Sequence, residues 1–218
     1  MKRSLAGVLT LTALVSLAAD CALNKAEQGA IVGAGAGGVA GAVIGKATGS
    51  TVRGAIIGAV VGGTAGAIIG HQMDKQAQEL AYDLPGATVQ RIGEGIAVSF
   101  PEGLLFEYNS DQIGSAAHDN LRKFAASLAK YPDTRTLIVG HTDSDGSAEY
   151  NMDLSNRRAS SAANFIVGEG VDRARISTAG RGETEPIATN TSDEGKRLNR
   201  RVEIAIYASA AAGSGSSN

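Results

Sequence analysis

Glycine recurs at every fourth position along two successive stretches of the chain. The glycines lie at positions 29, 33, 37, 41, 45 and 49, and then at 54, 58, 62, 66 and 70, with Ala, Val and Ile filling most of the gaps. This spacing places the glycines on one slowly turning stripe of an α-helix. Because an interior glycine costs about 1 kcal/mol relative to alanine, such a helix needs close packing against a second helix. We therefore predict a helical glycine-zipper hairpin over residues 29–70.

The sequence leaves open whether this hairpin spans a membrane, lies in it or packs beneath it. Its two arms would be roughly 30 and 25 Å long at 1.5 Å per residue, which approaches the thickness of a bilayer core. Glycine and alanine carry little apolar surface, so the arms are weaker spans than leucine-rich helices. A flexible Gly/Ala linker and a water-filled pore are the alternatives. Neither is favoured, because flexible linkers are rich in serine and because the arms carry no polar stripe.

The start of the chain has the pattern of an export signal. Two basic residues precede an uncharged run from Leu5 to Ala19, and the only cysteine follows at position 21. The segment Leu17-Ala18-Ala19-Asp20-Cys21 resembles a bacterial lipoprotein box. We predict a signal peptide over residues 1–20, lipidation of Cys21 as the first mature residue, and a short linker over residues 21–28. Ordinary cleavage after Ala18, which would leave Cys21 as a free thiol, is the alternative.

The composition becomes ordinary after Pro85-Gly86, which marks a turn. Residues 71–85 are interpreted as a connector, residues 86–207 as a folded domain and residues 208–218 as a flexible tail. The chain has a formal net charge of −2. Its basic residues form no run, which argues against a nucleic-acid partner.

Strand and helix patterns alternate through the folded domain. Strand patterns occur at residues 88–92, 96–100, 137–140, 175–179 and 202–206. Helix patterns follow Ser115, Ser147 and Ser192, and Ser147 is placed to cap a helix that runs to about Val167. This alternation predicts an α/β (α+β) sandwich that is large enough for one core.

One arginine lies on the apolar face of the helix after Ser147. At about 100° per residue, Arg158 shares the face of Leu154 and Ala162, whereas Arg157 lies on another face. A buried arginine is costly unless a carboxylate or a ligand meets it. Asp143, directly after the preceding apolar strand, is the nearest candidate along the chain.

Two interpretations of Asp143 and Arg158 stay open. They could form a salt bridge that pins the helix to the strand. Alternatively, they could form an open cradle for a zwitterion, with an ammonium on Asp143 and a carboxylate held by Arg158. Ligands of α/β folds gather at loops beyond strand ends, and the loop 142–146 offers backbone N–H groups there. We therefore favour a ligand with an amino-acid head group.

Several spaced motifs carry a resemblance to a known family. They are Gly140-His141-Thr142-Asp143, Gly146, Tyr150-Asn151, Leu154-Ser155, Arg158-Ala159 and Asn199-Arg200-Arg201-Val202-Glu203-Ile204. Together they resemble the signature of the OmpA-like peptidoglycan-binding domain over roughly residues 86–207. With the lipoprotein-like leader and the glycine zipper, the whole chain resembles outer-membrane lipoproteins of the YiaD type.

The resemblance implies a ligand and the residues that contact it. Members of the family hold the meso-diaminopimelate of the peptidoglycan stem peptide by the amino and carboxylate groups of its free end. On this sequence the contacts fall on Asp143, Arg158 and Asn109, with Thr142 contributing through its loop position. The resemblance leaves Arg200 and Arg201 to the fold, although one of them could face the ligand.

The residues give little support to an enzyme or a metal site. Cys21 lies next to the leader and the three histidines are scattered, with His141 interpreted as interior packing. The run Asp143-Ser144-Asp145-Gly146 has its glycine too early for a calcium loop. Glu183 and Glu185 are interpreted as solvated turn residues beside a proline. We predict no catalytic residue, no metal and no cofactor.

Two functional hypotheses follow. The first is a non-catalytic lipoprotein anchored in the outer membrane through Cys21, with its C-terminal domain in the periplasm bound to peptidoglycan. Such a protein would tether the membrane to the wall, and many anchored copies would compensate for a weak single site. The second is an assembly or membrane-perturbing protein that self-associates through its glycine zipper and is merely positioned by wall binding.

Overall fold

The structure, a computed structural model, describes residues 49–62, 67–107 and 110–209. The predicted signal peptide, Cys21, the linker over residues 21–28 and residues 29–48 of the predicted hairpin lie outside the described residues. Asn109 and the predicted tail from residue 210 onward also lie outside them.

Five strands in the described part of the chain form one mixed sheet. They are β1 (Thr88–Ile92), β2 (Gly95–Pro101), β3 (Thr134–His141), β4 (Ile176–Gly180) and β5 (Arg201–Ala208). The order across the sheet is β1-β2-β5-β3-β4, in which β3 and β4 are parallel and the other neighbours are antiparallel. Each strand overlaps a predicted strand, and β3 begins at Thr134 rather than at Leu137.

The described helices are α1 (Thr51–Gly62), α2 (Ala67–Asp83), α3 (Glu102–Leu105), α4 (His118–Lys130), α5 (Ala148–Gly168) and α6 (Asp193–Asn199). The hydroxyl of Ser147 caps α5 by accepting a hydrogen bond from the Tyr150 N–H at 3.1 Å. Ser192 caps α6 in the same way, with the Gly195 N–H at 3.2 Å. Both caps confirm the helix starts that the serines predict.

One face of the sheet carries the larger core, and α2, α4 and α5 pack on it. Alternate residues of the central strands point into this core, with Ile138 and Ile204 on this face and Val139 and Ala205 on the opposite one. The arrangement confirms the predicted α/β sandwich.

The structure adds α2, a helix that the sequence analysis missed within the predicted connector. Met73, Ala77, Leu80 and Leu84 recur at helical spacing, and each is at most 7% exposed. The segment therefore contributes one apolar face to the domain core instead of only joining two parts of the chain.

The opposite face of the sheet is covered by α1, which lies in the predicted second arm of the zipper. Ile56 and its apolar neighbours on α1 pack with Val139 and Ala205. At the start of α1, Thr51 donates its backbone N–H at 3.0 Å and its hydroxyl at 2.5 Å to the Glu185 carboxylate. A carboxylate at a helix N-terminus is favoured by the helix dipole. The described part of this arm is thus attached to the domain at its start and along one side.

The helices in the described ranges include none with the length and apolar character needed to cross a bilayer.

Replacing Ile56 by alanine should lower the free energy of unfolding by about 2–5 kcal/mol, because its side chain is fully buried between α1 and the sheet. The matched control is Ile57→Ala, since Ile57 is 38% exposed and should lose less than about 1 kcal/mol. Urea unfolding of the purified protein measures both. Equal losses for the two variants would contradict the docking of α1.

Candidate ligand-binding site

Strand register brings Glu102 and Arg200 together at one edge of the sheet. Pro101 on β2 pairs with Arg201 on β5, and Arg201 also pairs with His141 on β3. The residues one step beyond this row therefore lie side by side. The Glu102 N–H donates to the Arg200 carbonyl oxygen at 3.0 Å, which continues the row. Both side chains stand beside the loop that follows β3.

Asp143, the first acidic residue of this loop, pairs with Arg200. Its Oδ2 accepts a hydrogen bond from Arg200 Nη1 at 2.6 Å, and its Oδ1 accepts one from the Asp145 N–H at 3.1 Å. The side chain of Asp143 is 9% exposed and that of Arg200 is 33% exposed. Arg200, which the family resemblance left mainly to the fold, is therefore the half-open member of this site.

Arg158 lies on the buried face of α5, as its position on the helix predicts. Its side chain is 2% exposed, whereas that of Arg157 is 42% exposed. Arg158 Nη2 donates to Glu102 Oε1, and Arg158 Nε donates to the Ser110 carbonyl oxygen at 3.0 Å. The guanidinium also lies 5.4 Å from the centroid of the Phe106 ring, in cation–π range.

The expectation that Asp143 is the carboxylate nearest to Arg158 was wrong. Glu102, which follows β2, takes that place by pairing with Arg158 on α5. Sequence reasoning missed Glu102, although it lies two residues after the predicted strand 96–100. A prediction of strand order would have been needed to find it.

Glu102 joins the two pairs into one network. Its second oxygen, Oε2, accepts a hydrogen bond from Arg200 Nε at 2.6 Å. We call Asp143, Arg200, Glu102 and Arg158 the ion cluster. Its charges alternate in sign along the hydrogen bonds, and they sum to zero. Burial opposes the charge of Arg200, but hydrogen bonds to Asp143 and Glu102 outweigh burial and raise its pKa.

The two residues expected to form an open cradle each pair with another of the protein's own side chains. Each of the two residues has an internal partner of opposite charge, Arg200 for Asp143 and Glu102 for Arg158. A buried ion left without a partner is strongly destabilising, which explains why the described structure has both contacts.

A close approach between β3 and α5 sets the distance from the loop to the helix. A Cβ atom on Gly140 would lie 2.1 Å from the Ser155 carbonyl oxygen, so only glycine fits there. The Ser155 hydroxyl accepts from the Gly182 N–H at 2.9 Å, and the Gly182 carbonyl accepts from the Thr142 N–H at 2.9 Å. Thr142, predicted as a loop contact for the ligand, is thus buried and uses its N–H within the protein.

His141 lies in the interior on the α1 side of the sheet. Its side chain is fully buried, and its Nε2 is 3.7 Å from Glu203 Oε2. Burial, together with the nearby charges of Arg201 and Arg181, holds the pKa of His141 well below 6.5. The placement agrees with the interpretation of His141 as a packing residue.

Arg201 serves the fold, as the resemblance implies. It donates to Glu203 Oε1 at 2.9 Å and to the Asn199 and Glu185 carbonyl oxygens, each at 3.1 Å. These contacts hold the start of β5 against the loop after β4.

The interpretation of Glu183 and Glu185 as solvated turn residues was wrong. Glu183 accepts a hydrogen bond from the Asn151 amide at 2.8 Å, and Glu185 caps α1 at Thr51. Each carboxylate therefore has its own structural partner on a different helix.

Comparison with known proteins agrees with this architecture. The OmpA family model matches residues 105–200. Most of the C-terminal domain is therefore similar to the OmpA family. A second model, the YMGG-like Gly-zipper, matches residues 1–74. The OmpA family match covers Asp143, Arg158 and Arg200, whereas Glu102 lies just ahead of it.

Three known proteins illustrate the similarity. Probable lipoprotein YiaD of Escherichia coli is 39% identical over 138 residues, which are 62% of this chain and 63% of YiaD. Peptidoglycan-binding protein ArfA of Mycobacterium tuberculosis is 42% identical over 103 residues, which are 47% of this chain and 32% of ArfA. The chain thus spans less than two thirds of either relative. The structure of the cell wall anchor of the T6SS from Pseudomonas aeruginosa matches with a TM-score of 0.55 and 31% identity, over 61% of this chain and 96% of that chain.

Lowering the pH should destabilise the protein through His141. Unfolded His141 takes up a proton near pH 6.5, but the folded protein resists protonation down to its lower pKa. In that window the unfolded state binds more protons, so stability falls with decreasing pH by up to about 1.4 kcal/mol per pH unit from this group. His141→Gln should lack this component, whereas His71→Gln, at an exposed site, should retain it.

Urea unfolding of wild type and both variants between about pH 7 and about pH 5 measures the difference. An identical pH dependence in wild type and His141→Gln would contradict the assignment.

Proposed function

We propose that this chain is a non-catalytic anchor whose OmpA family domain binds peptidoglycan through the diaminopimelate of the stem peptide. Asp143 receives the ammonium of the free end of diaminopimelate, and Arg158 receives its carboxylate. Asn109 and Thr142 complete the contacts. A lipid on Cys21 holds the other end of the chain in the outer membrane, so that the protein tethers this membrane to the wall from the periplasmic side.

The observation that carries the proposal is the separation of Asp143 from Arg158. The two opposite charges are held on different elements, and neither is the hydrogen-bond partner of the other. Arg158 is fixed through the Ser110 carbonyl, and Asp143 is fixed through the Asp145 N–H. A rigid pair of opposite charges at a sheet edge suits a zwitterionic ligand, because each of its ionic groups gains a charge-assisted hydrogen bond.

The relatives support the wall as the partner. ArfA is named as a peptidoglycan-binding protein, and the similar structure from Pseudomonas aeruginosa is that of a cell wall anchor. YiaD is named as a probable lipoprotein, which supports the use of Cys21 as a lipid attachment site.

A second candidate function is zipper-driven assembly. The match of residues 1–74 to the YMGG-like Gly-zipper favours self-association or membrane perturbation through that segment. Wall binding would then only position the assembly.

Purified mature protein should pellet with insoluble peptidoglycan, and Asp143→Asn or Arg158→Lys should weaken this binding by on the order of tenfold or more. Arg158→Lys keeps the charge but loses the planar fork that matches a carboxylate. The controls are Asp153→Asn and Arg157→Ala, which remove exposed charges from α5, the helix that carries Arg158. Circular dichroism reports whether each variant is folded. Unchanged pelleting of both folded site variants would refute the proposed site.

Replacement of Cys21 by serine distinguishes the tether from the assembly. If the protein is a lipid-anchored tether, the Cys21→Ser variant should be absent from the outer-membrane fraction. Mass spectrometry of the wild type should then detect an acyl mass on Cys21. A zipper assembly should stay with the membrane fraction without that mass. Cleavage after Ala18 with an unmodified Cys21 would remove the lipid anchor from the proposal.

A further inference from the structure

The ion cluster contains its own substitute for a zwitterionic ligand. Arg200 presents a cation to Asp143 at 2.6 Å, while Glu102 presents an anion to Arg158. Arg200 and Glu102 are joined to each other at 2.6 Å. The pair therefore offers one positive and one negative group, in the order in which the proposed ligand would offer its ammonium and its carboxylate.

We propose that Glu102 and Arg200 occupy the diaminopimelate site from within, and that wall binding is an exchange of partners. This inference rests on the proposed function. The ligand ammonium replaces Arg200 on Asp143, and the ligand carboxylate replaces Glu102 on Arg158. Glu102 and Arg200 leave together and remain paired with each other.

The exchange keeps both the charge and the number of ionic contacts balanced. Two contacts within the cluster are lost, and two contacts to the ligand replace them. The net charge of the cluster is zero before the ligand enters and after it. Neither Asp143 nor Arg158 is left as a buried ion without a partner, which is the costly state in a low-dielectric site.

The four side chains divide into a fixed half and a movable half. Asp143 and Arg158 are 9% and 2% exposed, and each has a further bond to backbone, to the Asp145 N–H and the Ser110 carbonyl. Arg200 is 33% exposed and Glu102 is 16% exposed, so both side chains are more open to solvent than the fixed pair. The Glu102 N–H donates to the Arg200 carbonyl oxygen, and the exchange leaves this backbone contact in place because only the two side chains rotate.

The internal pair also gives the site a criterion for its ligand. A ligand with only a carboxylate can displace Glu102 from Arg158, but it leaves Arg200 bound to Asp143. Glu102 must then move alone, which breaks the Glu102–Arg200 contact and disfavours binding. A ligand with only an ammonium meets the matching obstacle. Selectivity for a zwitterion therefore arises from the internal competitor as well as from attraction to the fixed pair.

Titration of the full mature protein with three related probes tests the exchange. The probes are meso-diaminopimelate, pimelate, which lacks the amino groups, and cadaverine, which lacks the carboxylates. Wild type should prefer meso-diaminopimelate. Glu102→Gln should bind meso-diaminopimelate on the order of tenfold tighter and should gain affinity for pimelate but not for cadaverine. Arg200→Gln should gain affinity for cadaverine but not for pimelate.

This crossed pattern separates a competitor from a residue that only positions Arg158. If Glu102 is a positioning residue, Glu102→Gln should bind meso-diaminopimelate more weakly, and that result would overturn the inference. Glu169→Gln, which removes a negative charge from the α5–α4 contact, is the control and should bind as wild type does. Circular dichroism reports the folded state of each variant.

If a single variant fails to fold, the double variant Glu102→Gln with Arg200→Gln decides, because it leaves the cluster without net charge. The double variant should bind meso-diaminopimelate more tightly than wild type, and equal or weaker binding overturns the exchange. Absence of both wall pelleting and meso-diaminopimelate binding in wild type would instead reject the proposed function. Wall binding by wild type without the crossed pattern would reject only the internal competitor.

Discussion

A guanidinium buried in a protein interior needs a carboxylate beside it, and much of the site follows from that need at Arg158. Gly140 allows the helix that carries Arg158 to lie close to β3, and the Arg158 side chain is only 2% exposed. Glu102 supplies the carboxylate and passes the ionic contact on to Arg200 and Asp143. The result is a chain of alternating charges that spans the edge of three strands. In such a chain, a change at one member alters the partners of its neighbours.

Local patterns were sufficient to predict the sheet-forming segments and the helix starts at Ser147 and Ser192. Alternation and capping act over a few residues, so they can be read directly from the sequence. The inward direction of Arg158 follows from helical periodicity alone. The identity of the partner of Arg158 does not follow from periodicity. Glu102 reaches Arg158 through the strand order β2-β5-β3, which is a property of the whole sheet. Sequence distance suggested Asp143 instead.

The helix α2 shows a different limit. Its apolar positions, such as Met73 and Leu80, lie among many polar residues. The glycine repeat ends at Gly70, so the predicted helix was ended there and the following residues were interpreted as a connector. The glycine repeat itself is a good predictor of helix, since α1 forms over its described part. It did not indicate what that helix packs on. An apolar stripe of Val and Ile beside glycine fits a sheet as well as a second helix, and α1 uses Ile56 against the sheet.

The capping of α1 by Glu185 determines how a mechanical load would cross the domain. In the proposed tether, tension from the membrane side enters at Thr51, passes to Glu185, and continues through the Glu185 carbonyl to Arg201. Arg201 is next to Arg200 in the chain, so part of the pulling force would reach the ion cluster along this short path of hydrogen bonds. Strain on the anchor would then act on the ion cluster as well as on the core.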